Sequence, residues 1–101
     1  MSLFCTQENR TLTASISGEL DHHAARQIMG QLSQQIDAAL PRLLTVDLSA
    51  LSFTDSSGIA VLLRAHRNME RLGGRMVVIH TPPQAEKVFR AAGLQRLITF
   101  E

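Results

Sequence analysis

Three features of the sequence predict an α/β fold built on a mixed, mostly parallel sheet. Strand-like alternation fills the opening segment, two short and nearly continuous apolar runs follow later, and amphipathic helical stripes separate them. The alternation covers residues 3–8 and again 11–17, with Leu12, Ala14 and Ile16 on one side and Thr11, Thr13 and Ser15 on the other. Glu8-Asn9-Arg10 between the two runs is a hairpin turn. After Gly18-Glu19-Leu20 comes Asp21, whose carboxylate can accept from the free N–H groups of a helix start. Ala25, Ile28, Met29, Leu32, Ile36, Ala39 and Leu40 then recur at helical spacing until Pro41.

Residues 43–48, Leu-Leu-Thr-Val-Asp-Leu, are too few for a helix between breakers and suit an interior strand covered on both faces. A turn through Ser52-Phe53-Thr54-Asp55 leads to a second helix at 56–72, stopped by Gly73-Gly74. Met76-Val77-Val78-Ile79 forms another buried strand. Pro82-Pro83 opens a third helix with Ala85, Val88, Phe89 and Ala92 as its stripe before Gly93, and 97–100 form a last short strand. Strands alternating with helices call for parallel crossovers, and the opening hairpin makes the sheet mixed, with four to five strands and helices packed on it.

At 101 residues, 45% hydrophobic and 19% charged, the chain has the material for one domain, 1–101, with one modest core. Ten basic and nine acidic side chains leave a net charge of +1 without a run of like charge, so neither nucleic acid nor an anionic membrane is an expected partner. Four Phe with no Trp or Tyr give no platform for stacking bases. Cys5, the sole cysteine, cannot form an internal disulfide and fits as a small buried apolar residue. No basic-then-apolar leader opens the sequence, and no stretch approaches the roughly 20 apolar residues of a membrane span. A cytoplasmic protein is expected.

The most informative stretch is Phe53-Thr54-Asp55-Ser56-Ser57-Gly58-Ile59, between a strand and a helix. Sites in α/β sheets form where strand carboxyl ends meet helix starts, and the free N–H groups and positive dipole end there suit an anion such as phosphate. Alone, Asp-Ser-Ser-Gly is better read as a cap, with Asp55 or Ser56 as the capping residue. If Ile59, Leu62, Leu63 and His66 face inward, Ser56 leans toward the sheet. Ser57 then points outward on the line of Arg64, Asn68 and Arg71, with small Gly58 and Ala60 beside it. Val61 is then an exposed apolar residue without a folding role, the mark of a partner surface.

Other chemistries fit less well. His22 and His23 project in different directions from a helix start, so no metal pair is expected; His66 and His80 are packing or solvent-facing residues. A serine hydrolase would need Gly-x-Ser-x-Gly. Centred on Ser57, that pattern meets Asp55 and Ile59; centred on Ser56, it meets Thr54 and Gly58. No Gly-rich phosphate loop with Lys is present. The expectation is no catalytic residue, no metal, no cofactor and no turnover.

With these residues in hand, the chain resembles the STAS domains, the fold shared by bacterial anti-sigma factor antagonists and the cytoplasmic tails of sulfate transporters. The resemblance rests on Gly18-Glu19-Leu20-Asp21, Val46-Asp47-Leu48, Phe53-x-Asp55-Ser56-Ser57-Gly58, Gly73-Gly74 and Ala92-Gly93-Leu94, in this order. Asp21-His22-His23-Ala24 and Gly74-Arg75-Met76-Val77-Val78 are most similar to the sporulation branch of the antagonists. Members usually continue into a C-terminal helix, whereas this sequence ends at Glu101.

The resemblance implies that the second serine of Asp-Ser-Ser-Gly, here Ser57, accepts a phosphate. It implies as partner an anti-sigma factor that is also a serine kinase, contacted around Asp21 and the segment around Asp55, here with Ser56 and Gly58, and a serine phosphatase that restores the active form; Val61, read as exposed from helical spacing, joins that expected surface. ATP is then held by the kinase, and the free antagonist is a monomer. A sensor or scaffold domain that binds a small ligand or joins a larger signalling assembly is the alternative.

Overall fold

The computed structural model describes residues 2–101. Its elements run β1 (Ser2–Glu8), β2 (Thr11–Leu20), α1 (His22–Ala39), β3 (Leu43–Asp47), β4 (Leu51–Thr54), α2 (Ser57–Arg71), β5 (Arg75–Ile79), α3 (Pro83–Ala91), a 3-10 turn (Leu94–Arg96) and β6 (Thr99–Phe100). β1 and β2 pair antiparallel with Glu8 opposite Thr11, leaving Asn9 and Arg10 as a two-residue loop. Both loop residues have positive φ, as a hairpin twisted to match its strands requires. Every other pairing is parallel, in the order β1-β2-β3-β5-β6.

β4 corrects the sequence reading, which took residues 52–55 as a turn. It is a sixth strand, parallel to β2 beyond the point where β3 leaves it. Only Leu51 and Thr54 of its four residues are buried, so it carries no period-2 signal. The change of partner along β2 falls at a register shift between Gly18 and Glu19, and Gly18 adopts φ +86°, a conformation open to glycine without strain.

Parallel crossovers are right-handed as a rule, and made in one direction across the sheet they put the helices on one face. Burial follows that arrangement. Leu12, Ala14, Ile16, Leu44, Val46, Met76 and Val78 are buried, while Leu43, Thr45, Val77 and Ile79 between them are half-buried. The expectation that the interior strands are covered on both faces is therefore corrected: one face packs on helices. Ile28, Leu32 and Ile36 of α1, Leu62, Ala65 and Met69 of α2, and Phe89 of α3 complete the core. Each large apolar side chain fully buried there contributes about 1.5–3 kcal/mol relative to an exposed one.

Two members of the expected helical stripes fall outside the core. Leu40 is 57% exposed in a left-handed C-cap, its N–H donating to Ile36 O, and Ala92 is exposed beyond the end of α3. Cys5 sits opposite Ala14 and is half-buried rather than fully buried; burial pushes its thiol pKa up.

Candidate functional site

β2 and β4 end side by side, Leu20 in register with Thr54, and an aspartate follows each. Asp21 is the N-cap of α1: its backbone is extended and its Oδ1 accepts from Ala24 N–H at 2.8 Å. Asp55 stands one residue further back from α2, its own N–H donating to Leu20 O at 3.4 Å and its Oδ1 accepting from Ser57 N–H at 2.7 Å. Ser56 occupies the N-cap position with helical dihedrals and no side-chain cap bond. Asp55 thus supplies the capping carboxylate, and both serines are free of that duty. Two helix starts meet at the carboxyl edge of the sheet, where unpaired N–H groups and dipoles favour an anionic ligand or modification.

Burial at the start of α2 reverses the sequence expectation. Ser56 is exposed and Ser57, the first helical residue, is half-buried. Val61 is 1% exposed and belongs to the core, and Asn68 is 4% exposed; Arg64 and Arg71 are exposed as expected. The inward face is the series Gly58, Val61, Leu62, Ala65, Asn68 and Met69, at helical spacing but rotated from the stripe read in the sequence. Ile59, Leu63 and His66 border it, half-buried. Gly58 is buried too, because α2 starts hard against β4: a Cβ there would collide with Thr54 Oγ1 and press on Leu20 Cδ2 at 3.3 Å. Of the residues expected at a partner surface, Asp21 and Ser56 are exposed, Asp55 is half-buried, and Gly58 and Val61 lie beneath.

Two polar residues that sequence reasoning missed hold this region together, and a third ties the helices about three turns further along α2. Thr54 is fully buried, and its hydroxyl lies 3.2 Å from Leu20 O and 3.0 Å from Asp55 O. Gln84 on α3 accepts from Thr54 N–H at 3.0 Å and donates to Thr54 O at 2.8 Å. Asn68 donates to Ser33 Oγ on α1 at 2.9 Å and accepts from Arg71, tying the two long helices. The series 58-61-62-65-68-69 could have revealed Asn68 as buried. Nothing in the sequence marks Gln84.

One strand further along the same edge, Asp47 Oδ1 accepts from Ser49 N–H at 2.9 Å and meets His80 Nδ1 at 3.1 Å. The bond from Ser49, offset in part by burial and supported by His80, holds the Asp47 carboxyl below its usual range. His22 and His23 are exposed at the start of α1, and His66 Nε2 lies 3.7 Å from Glu70. Among the described residues no three His, Cys, Asp or Glu side chains converge as metal ligands do, and no helix is long and apolar enough to cross a membrane.

A family model described as the STAS domain matches residues 5–101. The anti-sigma F factor antagonist of Lysinibacillus sphaericus is 37% identical over 84 residues, 83% of this chain and 72% of that protein. The structure of the anti-sigma factor antagonist SpoIIAA in its unphosphorylated form is similar with a TM-score of 0.84 at 31% identity, covering 99% of this chain and 88% of that one. The Bacillus cell fate determinant SpoIIAA in its phosphorylated form is similar with a TM-score of 0.75, also at 31% identity, over 99% and 91% of the two chains.

Proposed function

The chain belongs to the STAS-domain family, and from that premise we propose that it is an anti-sigma factor antagonist switched by phosphorylation of Ser57. In the unmodified state the edge bearing Asp21, Asp55 and Ser56 docks on an anti-sigma factor that is also a serine kinase, releasing the sigma factor. The kinase, which holds the ATP, transfers phosphate to Ser57. A serine phosphatase reverses the step, and the chain itself turns nothing over.

The observation that carries this reading is the displaced cap. Asp55 reaches over Ser56 to hold Ser57 N–H, so a serine stands as the first residue of α2, on an edge where a second helix also starts. A phosphate on Ser57 adds about 1.5 to 2 negative charges at pH 7. The dipole of α2 favours that charge, so the fold tolerates it. The Asp55 carboxylate bound to the same residue's N–H opposes it. A local displacement of this cap, within the docking edge, is how the modification weakens the partner's grip. The choice of Ser57 over Ser56 follows the family's Asp-Ser-Ser-Gly pattern, because exposure ranks the two serines the other way.

Reaction with the anti-sigma factor kinase and ATP, followed by mass-spectrometric site mapping, tests the assignment. One phosphate on Ser57 is expected. Phosphate on Ser56 instead, or ATP hydrolysis by the chain alone that Ser57→Ala abolishes, contradicts it.

A further inference from the structure

We propose that Gln84 is a positioning residue for the Ser57 site, a side-chain clamp from α3 that fixes the end of β4 and, through Thr54 and Asp55, the start of α2. The proposal rests on the reading of Ser57 given above.

β4 pairs with β2 along one edge, and among the described residues no strand pairs with its other edge. Thr54, fully buried at its end, would there present a backbone N–H and C=O without partners. The Gln84 carboxamide meets both, with Oε1 accepting from the N–H at 3.0 Å and Nε2 donating to the carbonyl at 2.8 Å. That is the pair of bonds a neighbouring strand would exchange with this residue. Only Gln and Asn carry an uncharged donor and acceptor side by side, and Asn is a methylene shorter. Gln84 follows Pro82-Pro83 at the opening of α3, where fixed proline φ angles limit how the helix can approach.

Thr54 connects this clamp to the serine. Its hydroxyl reaches Leu20 O and Asp55 O, Gly58 packs against it, and Asp55 holds Ser57 N–H. Releasing Gln84 frees the residue on which the Asp55 cap is built. A phosphoacceptor hydroxyl must stay aligned with the kinase's γ-phosphate, so looser positioning slows the transfer step more than it weakens encounter.

Gln84→Glu keeps size and shape but offers only acceptors, setting a carboxylate against Thr54 O; Gln84→Ala removes both bonds. Glu86→Ala, which breaks an exposed pair with Arg90 on the same helix, is the control. Hydrogen exchange of the free chain is expected to show the Thr54 amide opening about tenfold faster in Gln84→Ala and unchanged in the control, with a smaller rise in Gln84→Glu, whose carboxylate still accepts from that N–H. With the kinase, kcat for Ser57 phosphorylation is expected to fall about fivefold in both while KM changes less than twofold. Unchanged exchange at Thr54 in Gln84→Ala, or faster exchange there with an unchanged kcat, overturns the proposal. Failure of the unsubstituted chain to accept phosphate on Ser57 overturns the underlying reading instead, and the exchange measurement then still decides whether the clamp exists.

Discussion

The starts of α1 and α2 solve one problem in two ways. Both follow parallel strands that end in register, and both use an aspartate to satisfy a free N–H. Asp21 is itself the N-cap and bonds three residues ahead, the arrangement that stabilises a helix start most directly. Asp55 is displaced by one residue and bonds only two ahead, leaving Ser56 at the cap position without a capping bond. The first start is built for stability. The second gives up part of that benefit to set two serines at the mouth of a helix, and it recovers order from Thr54, Gly58 and Gln84 behind them.

The glycines of the two helices break the comparison most sharply. Gly58→Ala forces a Cβ into the hydroxyl of a Thr54 that is fully buried and hydrogen-bonded, so the side chain cannot swing aside. Urea denaturation should show a loss of about 1–3 kcal/mol. Asp21→Ala should cost about 1 kcal/mol in stability and, because Asp21 also lies on the docking edge, raise KM for phosphorylation of Ser57 while leaving kcat close to the parent's. Asp55→Ala should cost no more than that in stability yet slow phosphorylation, measured side by side with the same kinase. Gly30, in α1, has open space where its Cβ would stand. Gly30→Ala should therefore stabilise by about 0.5–1 kcal/mol, opposite in sign to the change at Gly58.

The smallest effect belongs to Asp47. Its carboxyl lies below the usual range in the folded chain, so the stability it contributes is present above the unfolded value, about 4, and is lost as pH falls through the folded one. Asp47→Asn should narrow its stability gap from the parent as pH falls from about 5 to 3, followed by denaturant midpoints at each pH. A gap that widened over that range would mean the carboxylate is disfavoured in the fold.

What was legible in the sequence follows what is periodic. The alternation of Leu12, Ala14 and Ile16, the stripe of α1 as far as Ala39 and the cap at Asp21 all appear where they were read, because one buried face imposes one period. β4 escaped notice because four residues with buried ends and exposed middle match neither template. The face of α2 was misjudged because it packs on α1 as well as on the sheet. Its buried series includes a glycine held there by close approach and an asparagine whose amide is satisfied by Ser33 and Arg71, residues that look solvent-facing in a bare sequence. Side-chain to backbone clamps such as Gln84 to Thr54, thirty positions apart, leave no local trace. The aspartate and serine positions of the candidate site were legible; their order of exposure was not.

The central claim is that charge at Ser57 switches docking without unfolding the chain. Calorimetric titration of the anti-sigma factor into the parent, Ser57→Ala and Ser57→Asp tests it most directly. The alanine variant should bind like the parent. The aspartate variant should remain as stable as the parent to within about 1 kcal/mol, since dipole attraction and the neighbouring Asp55 act in opposite directions. It should bind at least about tenfold more weakly, because an added charge in the docking edge must be desolvated or repelled. Binding of the aspartate variant equal to that of the parent would contradict the account.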